Sequence, residues 1–409
     1  MVTLTEGLRA PFPRFWLSGF LADFGDGVRL AAFPLLAVQF TRSPTAVAAV
    51  TAVQGLPWLM TGAALGVLVD RTDRRRLMVI VDIVQALVIA ALAVAILAHS
   101  AGLLLIYLTA FVTGLGAALR GTAASAAVPR LVKPADLDQA NGRVIAGQII
   151  GNELAGPAAG GWLFGLAAVL PFALNAGALG IAVLLLLTLP SVFRPGPRES
   201  EQVPSSRLGS VRRDAAEGLR WLWRHSDIRD LTVAVGVISA MDAAWFAVFV
   251  LYVTQILHQR SGAYGVLLAV AALGGVATGA FGTRLARRLG PWPSLVIAGL
   301  VMAGTQAGLG LNANVAIAAV LLFASSGAFA LFNMTAVTMR QRLVPAELLG
   351  RVSSLYGTVA RGAEALGAIG GGALATVAGI RAPMLAGAVP IVALTAVLAW
   401  RHCRAARAA

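Results

Sequence analysis

The 409 residues are 58% hydrophobic and only 12% charged, with a mean hydropathy of +0.81, whereas a soluble domain carries roughly a quarter charged residues. That composition excludes an ordinary soluble globular protein. The formal net charge of +14 raises the question of nucleic acid, but the basic residues are scattered along the chain and form no patch interleaved with base-stacking aromatics, which excludes that role as well.

Apolar stretches able to cross a hydrocarbon core about 30 Å thick, at 1.5 Å rise per residue, recur along the whole chain. They are residues 15-40, 45-69, 77-97, 103-128, 140-165, 169-190, 228-257, 262-283, 292-311, 315-339, 350-378 and 382-400. Lipid offers the backbone no hydrogen-bond partners, and the alternating pattern of a barrel is absent, so these spans predict an all-α membrane protein of twelve transmembrane helices. The first span follows Arg9 and Arg14 but is too long for a signal-peptide core and ends without a small-residue cleavage site, so it reads as a retained helix. Between the sixth and seventh spans lies the longest polar stretch, rich in Pro, Ser and Arg, with an amphipathic segment from Asp214 to Arg224. Trp221 and Trp223 would place that segment at the headgroup level or pack within a solvated connector. The expected organisation is a first six-helix half at 1-190, a cytoplasmic linker at 191-227 and a second six-helix half at 228-409.

Arg42, Arg260 and Arg381 fall in odd-numbered loops, and Arg29, Arg120 and Arg361 fall inside spans. Every other Lys and Arg lies at the N-terminus, in or at the edge of an even-numbered loop, with Arg143, Arg229 and Arg351 among the first few residues of the spans that follow those loops, or at the C-terminus. By the positive-inside rule this places both termini in the cytoplasm of a multi-pass protein of the cytoplasmic membrane. Cys403 is the only cysteine and Lys133 the only lysine. Disulfides, thiolate metal sites and a Lys-containing phosphate loop are therefore excluded, and any driving force must be a gradient or the membrane potential. The four histidines are scattered, with His99 and His258 outside and His225 and His402 inside, so no enzymatic constellation forms. Neither a cofactor nor a metal is expected, and the chain does not read as an enzyme.

The halves echo one another. Arg130-Leu-Val, Pro134-Ala and Gly142-Arg-Val recur as Arg342-Leu-Val-Pro-Ala and Gly350-Arg-Val; Glu153-Leu-Ala-Gly156-Pro-Ala-Ala-Gly160-Gly161 recurs as Glu364-Ala-Leu-Gly367-Ala-Ile-Gly-Gly371-Gly372. Gly66, Arg71, Arg74 and Arg75 recur as Gly279, Arg284, Arg287 and Arg288. Parallel repeats of this kind imply a pseudo-two-fold axis along the membrane normal and a binding cavity between the halves near the midplane.

Two motifs carry a family resemblance. Gly66-Val-Leu68-Val-Asp70-Arg71-Thr-Asp73-Arg74-Arg75-Arg76 resembles the G-x-L-x-D-R-x-G-R-R motif of the major facilitator superfamily, with Asp73 where most members have glycine. The resemblance implies a gate in which acid and arginines clasp helix ends, with Asp70 placed to cap a helix N-terminus. Gly151-x4-Gly156-Pro157-x2-Gly160-Gly161 resembles the G-x-x-x-G-P-x-x-G-G motif of the superfamily's exporters, with one extra residue between the first two glycines. Small residues allow close helix approach and proline with glycine allows a bend, so this segment is the expected hinge. Together with Gly25-Asp26 and Ser43-Pro44, the chain resembles the drug:proton antiporter branch that includes macrolide and enterobactin exporters.

Charges inside the bilayer cost at least about 2.5 kcal/mol each unless paired or hydrated. Asp23, Asp26, Arg29, Arg120, Glu153, Asp242, Arg361 and Glu364 are counted there, five acids against three arginines. Up to two carboxylates are left over, as candidate proton carriers. Asp23, Asp26 and Arg29 recur every three residues on one face, which cannot face lipid and is expected to line the cavity; Asp26 with Arg29, and Arg361 with Glu364, could also pair internally. Arg120 either tunes the carboxylates, as the resemblance implies, or bridges helices. Trp245, Phe249 and Tyr252 share a face beside Asp242 and would either wall an amphiphilic substrate or simply pack. The expected function is proton-coupled efflux of small hydrophobic or amphiphilic molecules, such as a drug, an antibiotic or a siderophore-like metabolite, by alternating access, with Asp23, Asp26 and Glu153 as the favoured carboxylates. The partners are the substrate, protons and the lipid bilayer, with no nucleic acid, and the resemblance implies a monomer. Proton-coupled uptake, or a membrane sensor or scaffold without transport, are the alternatives.

Overall fold

A computed structural model describes the backbone of residues 11–189 and 219–408 and, within these, the side chains of all but 58–71, 283, 346, 347, 350, 354 and 402–408. The expected linker and the N-terminal arginine Arg9 lie largely outside the described residues.

Twelve long helical elements run in chain order among the described residues. The first six are α1 (Pro11–Phe40), α2 (Pro44–Arg71), α3 (Arg74–Leu97), α4 (Leu103–Leu131), α5 (Leu137–Gln148, continued by Ile149–Ala155 and Gly156–Leu166) and α6 (Leu170–Leu187). The second six are α7 (Ser226–Phe246, continued by Phe249–Leu251 and Tyr252–Ile256), α8 (Ser261–Leu289), α9 (Pro291–Leu311), α10 (Val315–Leu343), α11 (Ala346–Ala378) and α12 (Ala382–Ala408). Each coincides with one expected span. Several run further at one end, because the hydrocarbon core limits the apolar stretch and not the helix: α10 continues through Arg340 and Arg342.

Local chemistry sets the boundaries. Pro44 and Pro291 open α2 and α9 at a position where a missing N–H costs nothing. Asn314 caps α10, its side-chain oxygen accepting from the amides of Ala316 and Ile317 at 2.9 and 3.3 Å. Gly290 at φ 85° turns the chain between α8 and α9, a conformation that suits glycine.

Seven of the described helices are long and apolar enough to cross a membrane alone, namely α3, α4, α6, part of α8, α9, α10 and part of α12. The bent pair Ser226–Phe246 and Phe249–Ile256 in α7 makes an eighth. α1 carries Asp23, Asp26 and Arg29 in its middle, and α5 is broken, so neither stands out by apolarity.

Two elements depart from simple helices. In α5 the stretch Ile149–Ala155 is π-helical, and the amide of Gly156 donates to the carbonyl of Gly151, five residues back. Pro157 explains it: the residue has no N–H, and its ring would strike the carbonyl of Glu153 in a regular helix, so the preceding turn widens. The expected hinge is therefore a built irregularity. In α7 the span read as continuous bends by 40° after Phe246 and ends in a second π-helical turn at Tyr252–Ile256. Neither proline nor glycine stands at that bend.

The chain divides into two compact units. The described residues of 1–40, 53–203 and 260–269 form one, and those of 41–52, 204–259 and 270–409 form the other. In the first, Phe12, Phe15, Met78, Ala127 and Leu186 join α1, α3, α4 and α6 in one core. In the second, Leu231, Ile238, Met302, Phe332 and Leu398 join α7, α9, α10 and α12. Large apolar side chains remain exposed on the outer helix faces, including Leu104, Leu311 and Val377, as a lipid-covered surface requires.

The sequence repeat is also a repeat of contacts. In the first unit, a Cβ on Gly156 would stand 2.8 Å from the carbonyl oxygen of Phe24, and one on Gly160 2.4 Å from that of Val28. In the second unit, the echoing Gly367 and Gly371 stand in the same way 2.0 Å from the carbonyl oxygen of Ala240 and 2.1 Å from that of Ala244. The seam between α1 and α5 is thus rebuilt between α7 and α11, with Asp242 in the place of Asp26 and Glu364 in the place of Glu153.

Candidate functional site

The first unit gathers charge where α1, α3 and α4 meet. Arg29 is 1% exposed, and one terminal nitrogen donates to Asp26 Oδ1 at 2.7 Å, so the internal pair allowed by their spacing does form. Its Nε and Nη1 are buried without a hydrogen-bond partner, as are both side-chain polar atoms of Asn175 on α6. Asn175 packs against Gly25, one turn before Arg29 on α1. Buried polar groups left unpaired in this way are costly.

Arg120 is engaged by an acid outside the eight expected charged positions. Its Nε donates to Asp82 Oδ1 at 2.8 Å and Oδ2 at 3.1 Å, and its Nη2 donates to the backbone oxygen of Ser18 at 2.9 Å. Asp82 on α3 is fully buried. Asp82 is thus an intramembrane acid beyond the five expected, and Arg120 bridges α3, α4 and α1. Asp82, the one acid in the span 77-97, was legible in the sequence, but not counted among the intramembrane charges.

Asp23 and Asp26 both lie within electrostatic reach of Arg120. The cluster thus holds three carboxylates, Asp23, Asp26 and Asp82, and two guanidiniums. Asp26 is matched by Arg29 and Asp82 by Arg120. Asp23, half-buried on the same α1 face, has no hydrogen-bond or ion-pair partner among the described residues.

Glu153 lies in the π-helical turn of α5 and is exposed, apart from this cluster's ion pairs. In the second unit Asp242 accepts a hydrogen bond from the indole nitrogen of Trp245 at 3.0 Å, and Glu364 lies within its electrostatic range. Arg361 Nη1 holds Glu364 Oε2 at 3.0 Å, with both side chains well exposed. The aromatic stripe packs: Trp245 is 5% exposed and Phe249 and Tyr252 not at all, with successive ring centroids 5.4 and 6.2 Å apart. Of the two readings of that stripe, wall or packing, this structure has packing.

Of the expected gate motif, the side chains of Gly66, Asp70 and Arg71 lie outside the described residues. Asp73 caps α3, its carboxylate accepting from the Arg76 amide at 3.1 Å. The departure from the family's glycine therefore supplies an N-cap. Arg75 reaches the end of α6, donating from Nε to the carbonyl of Leu186 at 2.8 Å and from a terminal nitrogen to that of Leu187, where a cation also meets the negative end of the helix dipole. Arg74 is buried at 5% exposure.

Gly151, Gly156 and Gly160 all face α1: a Cβ on Gly151 would lie 3.0 Å from the Phe24 amide nitrogen, and one on Gly156 2.7 Å from the Cα of Gly27. Gly161 faces the start of α8, where a Cβ on it would stand 2.8 Å from the amide nitrogen of Gly265, and a Cβ on Gly265 would strike the carbonyl oxygen of Pro157.

The Major Facilitator Superfamily profile matches residues 15–363 and 232–408. The multidrug efflux pump Tap of Mycolicibacterium fortuitum is 27% identical over 406 residues, 96% of this chain and 95% of that protein. The enterobactin exporter EntS of Salmonella typhimurium is 28% identical over 377 residues, 87% of this chain and 84% of its own. Among solved structures, the nucleoside transporter NupG superposes with a TM-score of 0.76 at 14% identity, covering 95% of this chain and 98% of that one. A bacterial homologue of the iron transporter ferroportin, in its inward-facing state, superposes at 0.74 and 16% identity with the same coverage. The chain is a member of the major facilitator superfamily and has the fold of its transporters, not of an enzyme.

Proposed function

We propose that this chain is a proton-coupled exporter of small hydrophobic or amphiphilic molecules, working by alternating access, in which Asp23 is the coupling carboxylate. The two named exporters among its relatives support the direction and the substrate class. The observation that carries the mechanism is the charge count of the α1, α3 and α4 cluster: after Arg29 and Arg120 are matched, Asp23 alone is left. An unmatched charge in that setting is costly, and a proton or a cationic substrate group removes the cost. Binding of one then competes with binding of the other, which is what antiport requires.

The other residues divide by role. Asp26 with Arg29 and Asp82 with Arg120 are fixed pairs that set the field at Asp23. Glu153, exposed on the widened turn of α5, is a second candidate carboxylate, and Asp242, Arg361 and Glu364 provide the corresponding chemistry in the second half. Gly151, Gly156, Pro157, Gly160 and Gly161 form the hinge; Gly66, Asp70, Arg71, Asp73, Arg74 and Arg75 form the gate. The halves are residues 1-190 and 228-409, joined by a linker at 191-227, and the protein is a monomer in the cytoplasmic membrane with both termini in the cytoplasm.

The test is accumulation of a fluorescent amphiphilic dye in drug-sensitive cells expressing the chain. Export predicts lower accumulation than in control cells, restored by a protonophore. Unchanged accumulation across a broad panel of compounds would remove the amphiphile-exporter reading and favour a narrow metabolite or uptake.

A further inference from the structure

Within the second unit, α8 and α10 cross closely. A Cβ on Gly274 would stand 2.0 Å from the carbonyl oxygen of Phe323, and one on Gly327 2.9 Å from Thr278 Oγ1. Beside that crossing, residues of α8, α9 and α10 together line a groove. The space is about 350 Å³ and lined almost wholly by apolar atoms, among them Ala277, Phe281, Leu285, Val301, Phe323 and Ala324. Phe281 is 66% exposed and Leu285 45%.

An exposed apolar face in a membrane is ordinary, and lipid covers it. What distinguishes this one is a concave shape together with arginines that follow its lining residues along α8. Phe281, Leu285 and Arg288 follow one another at helical spacing on one face of α8, and Arg284 flanks Phe281 one turn on. Arg284, Arg287 and Arg288 are exposed and make no ion pair among the described residues. An apolar groove whose lining residues Phe281 and Leu285 lie within a turn of exposed arginines on the same helix matches an acyl chain joined to an anionic headgroup. Basic residues at such a level attract anionic lipid, and basic pockets between helices bind lipid headgroups.

We propose that the groove between α8, α9 and α10 is a binding site for one anionic phospholipid, its acyl chain against Phe281, Leu285 and Val301 and its phosphate on Arg284 and Arg288. A lipid held there would rest on α8 and α10 together and so follow any movement between them. The site involves none of the intramembrane charges assigned to coupling, so it stands or falls apart from the transport reading.

The experiment is native mass spectrometry of the purified full-length chain titrated with dimyristoyl phosphatidylglycerol or dimyristoyl phosphatidylcholine. The wild type is expected to hold one phosphatidylglycerol in preference to phosphatidylcholine. Each arginine removed reduces that preference by about fivefold, from the roughly 1 kcal/mol a surface Lys or Arg contributes toward anionic lipid, so Arg284→Ala with Arg288→Ala abolishes most of it. Ala324→Phe, which fills the groove and leaves the arginines, lowers phosphatidylglycerol binding, whereas Arg42→Ala at the other end of the spans leaves it unchanged. Equal binding of the two lipids by the wild type, or an unaltered preference in the double arginine variant, which changes only exposed side chains, overturns the proposal. Ala324→Phe with full binding would place the lipid on the arginines alone and overturn the groove as its site.

Discussion

Asp82 and Arg120 decide the chemistry of the first unit more than any residue the family motifs single out. Their pair is doubly hydrogen-bonded and buried, and removing one partner of such a pair leaves an uncompensated charge, a loss of about 3–5 kcal/mol. Asp82→Asn should therefore lower the thermal unfolding midpoint of the purified protein sharply. Replacing both residues with apolar ones of similar volume should recover much of that loss, since an apolar pair needs no compensation. A double variant as unstable as the single would contradict the pairing. Asp73 permits a finer test: as the N-cap of α3, its replacement by alanine should cost about 1 kcal/mol, and by the family's glycine only a few tenths. Equal melting of the two variants would show that the cap contributes nothing.

At the scale of elements, the glycine seams are where the packing is tightest. Gly156→Ala and Gly367→Ala both drive a methyl group into backbone of the neighbouring helix, α1 in one case and α7 in the other, and should destabilise by about 1–3 kcal/mol each. Gly19→Ala on α1 meets nothing within 4 Å and should be neutral or slightly stabilising, by up to about 1 kcal/mol. Similar unfolding midpoints for all three would refute the seam. The helix positions themselves were legible in the sequence, because a bilayer demands apolar runs of fixed length and α3, α4, α9 and α10 supply them. Their irregularities were legible only in part. Pro157 announces the disturbance in α5, but not that the turn before it would widen and carry Glu153 on it; the bend of α7 after Phe246 has no Pro or Gly to announce it. Which acid meets which arginine was legible where the partners are three residues apart on one helix, as Asp26 with Arg29 and Arg361 with Glu364. It was hidden where they lie on different helices, as Asp82 with Arg120, because spacing along one helix says nothing about the rotation of the next.

For the molecule as a whole, the repeat places matching chemistry in each half: Asp26 and Asp242 on the first helix of each, Glu153 and Glu364 on the fifth, and the same glycine seam between them. The halves differ in charge economy. The first has a carboxylate, Asp23, that neither of its arginines pairs with directly; in the second, Arg361 takes Glu364 and a tryptophan serves Asp242. Proton coupling should accordingly be more sensitive to Asp23 than to Asp242. The most direct measurement is proton movement in proteoliposomes containing the purified chain, with an internal pH dye reporting the response to an added amphiphilic substrate. The wild type should move protons against substrate, and Asp23→Asn should still bind substrate but move no protons. Undiminished substrate-evoked proton movement in Asp23→Asn would contradict the assignment of coupling to that carboxylate.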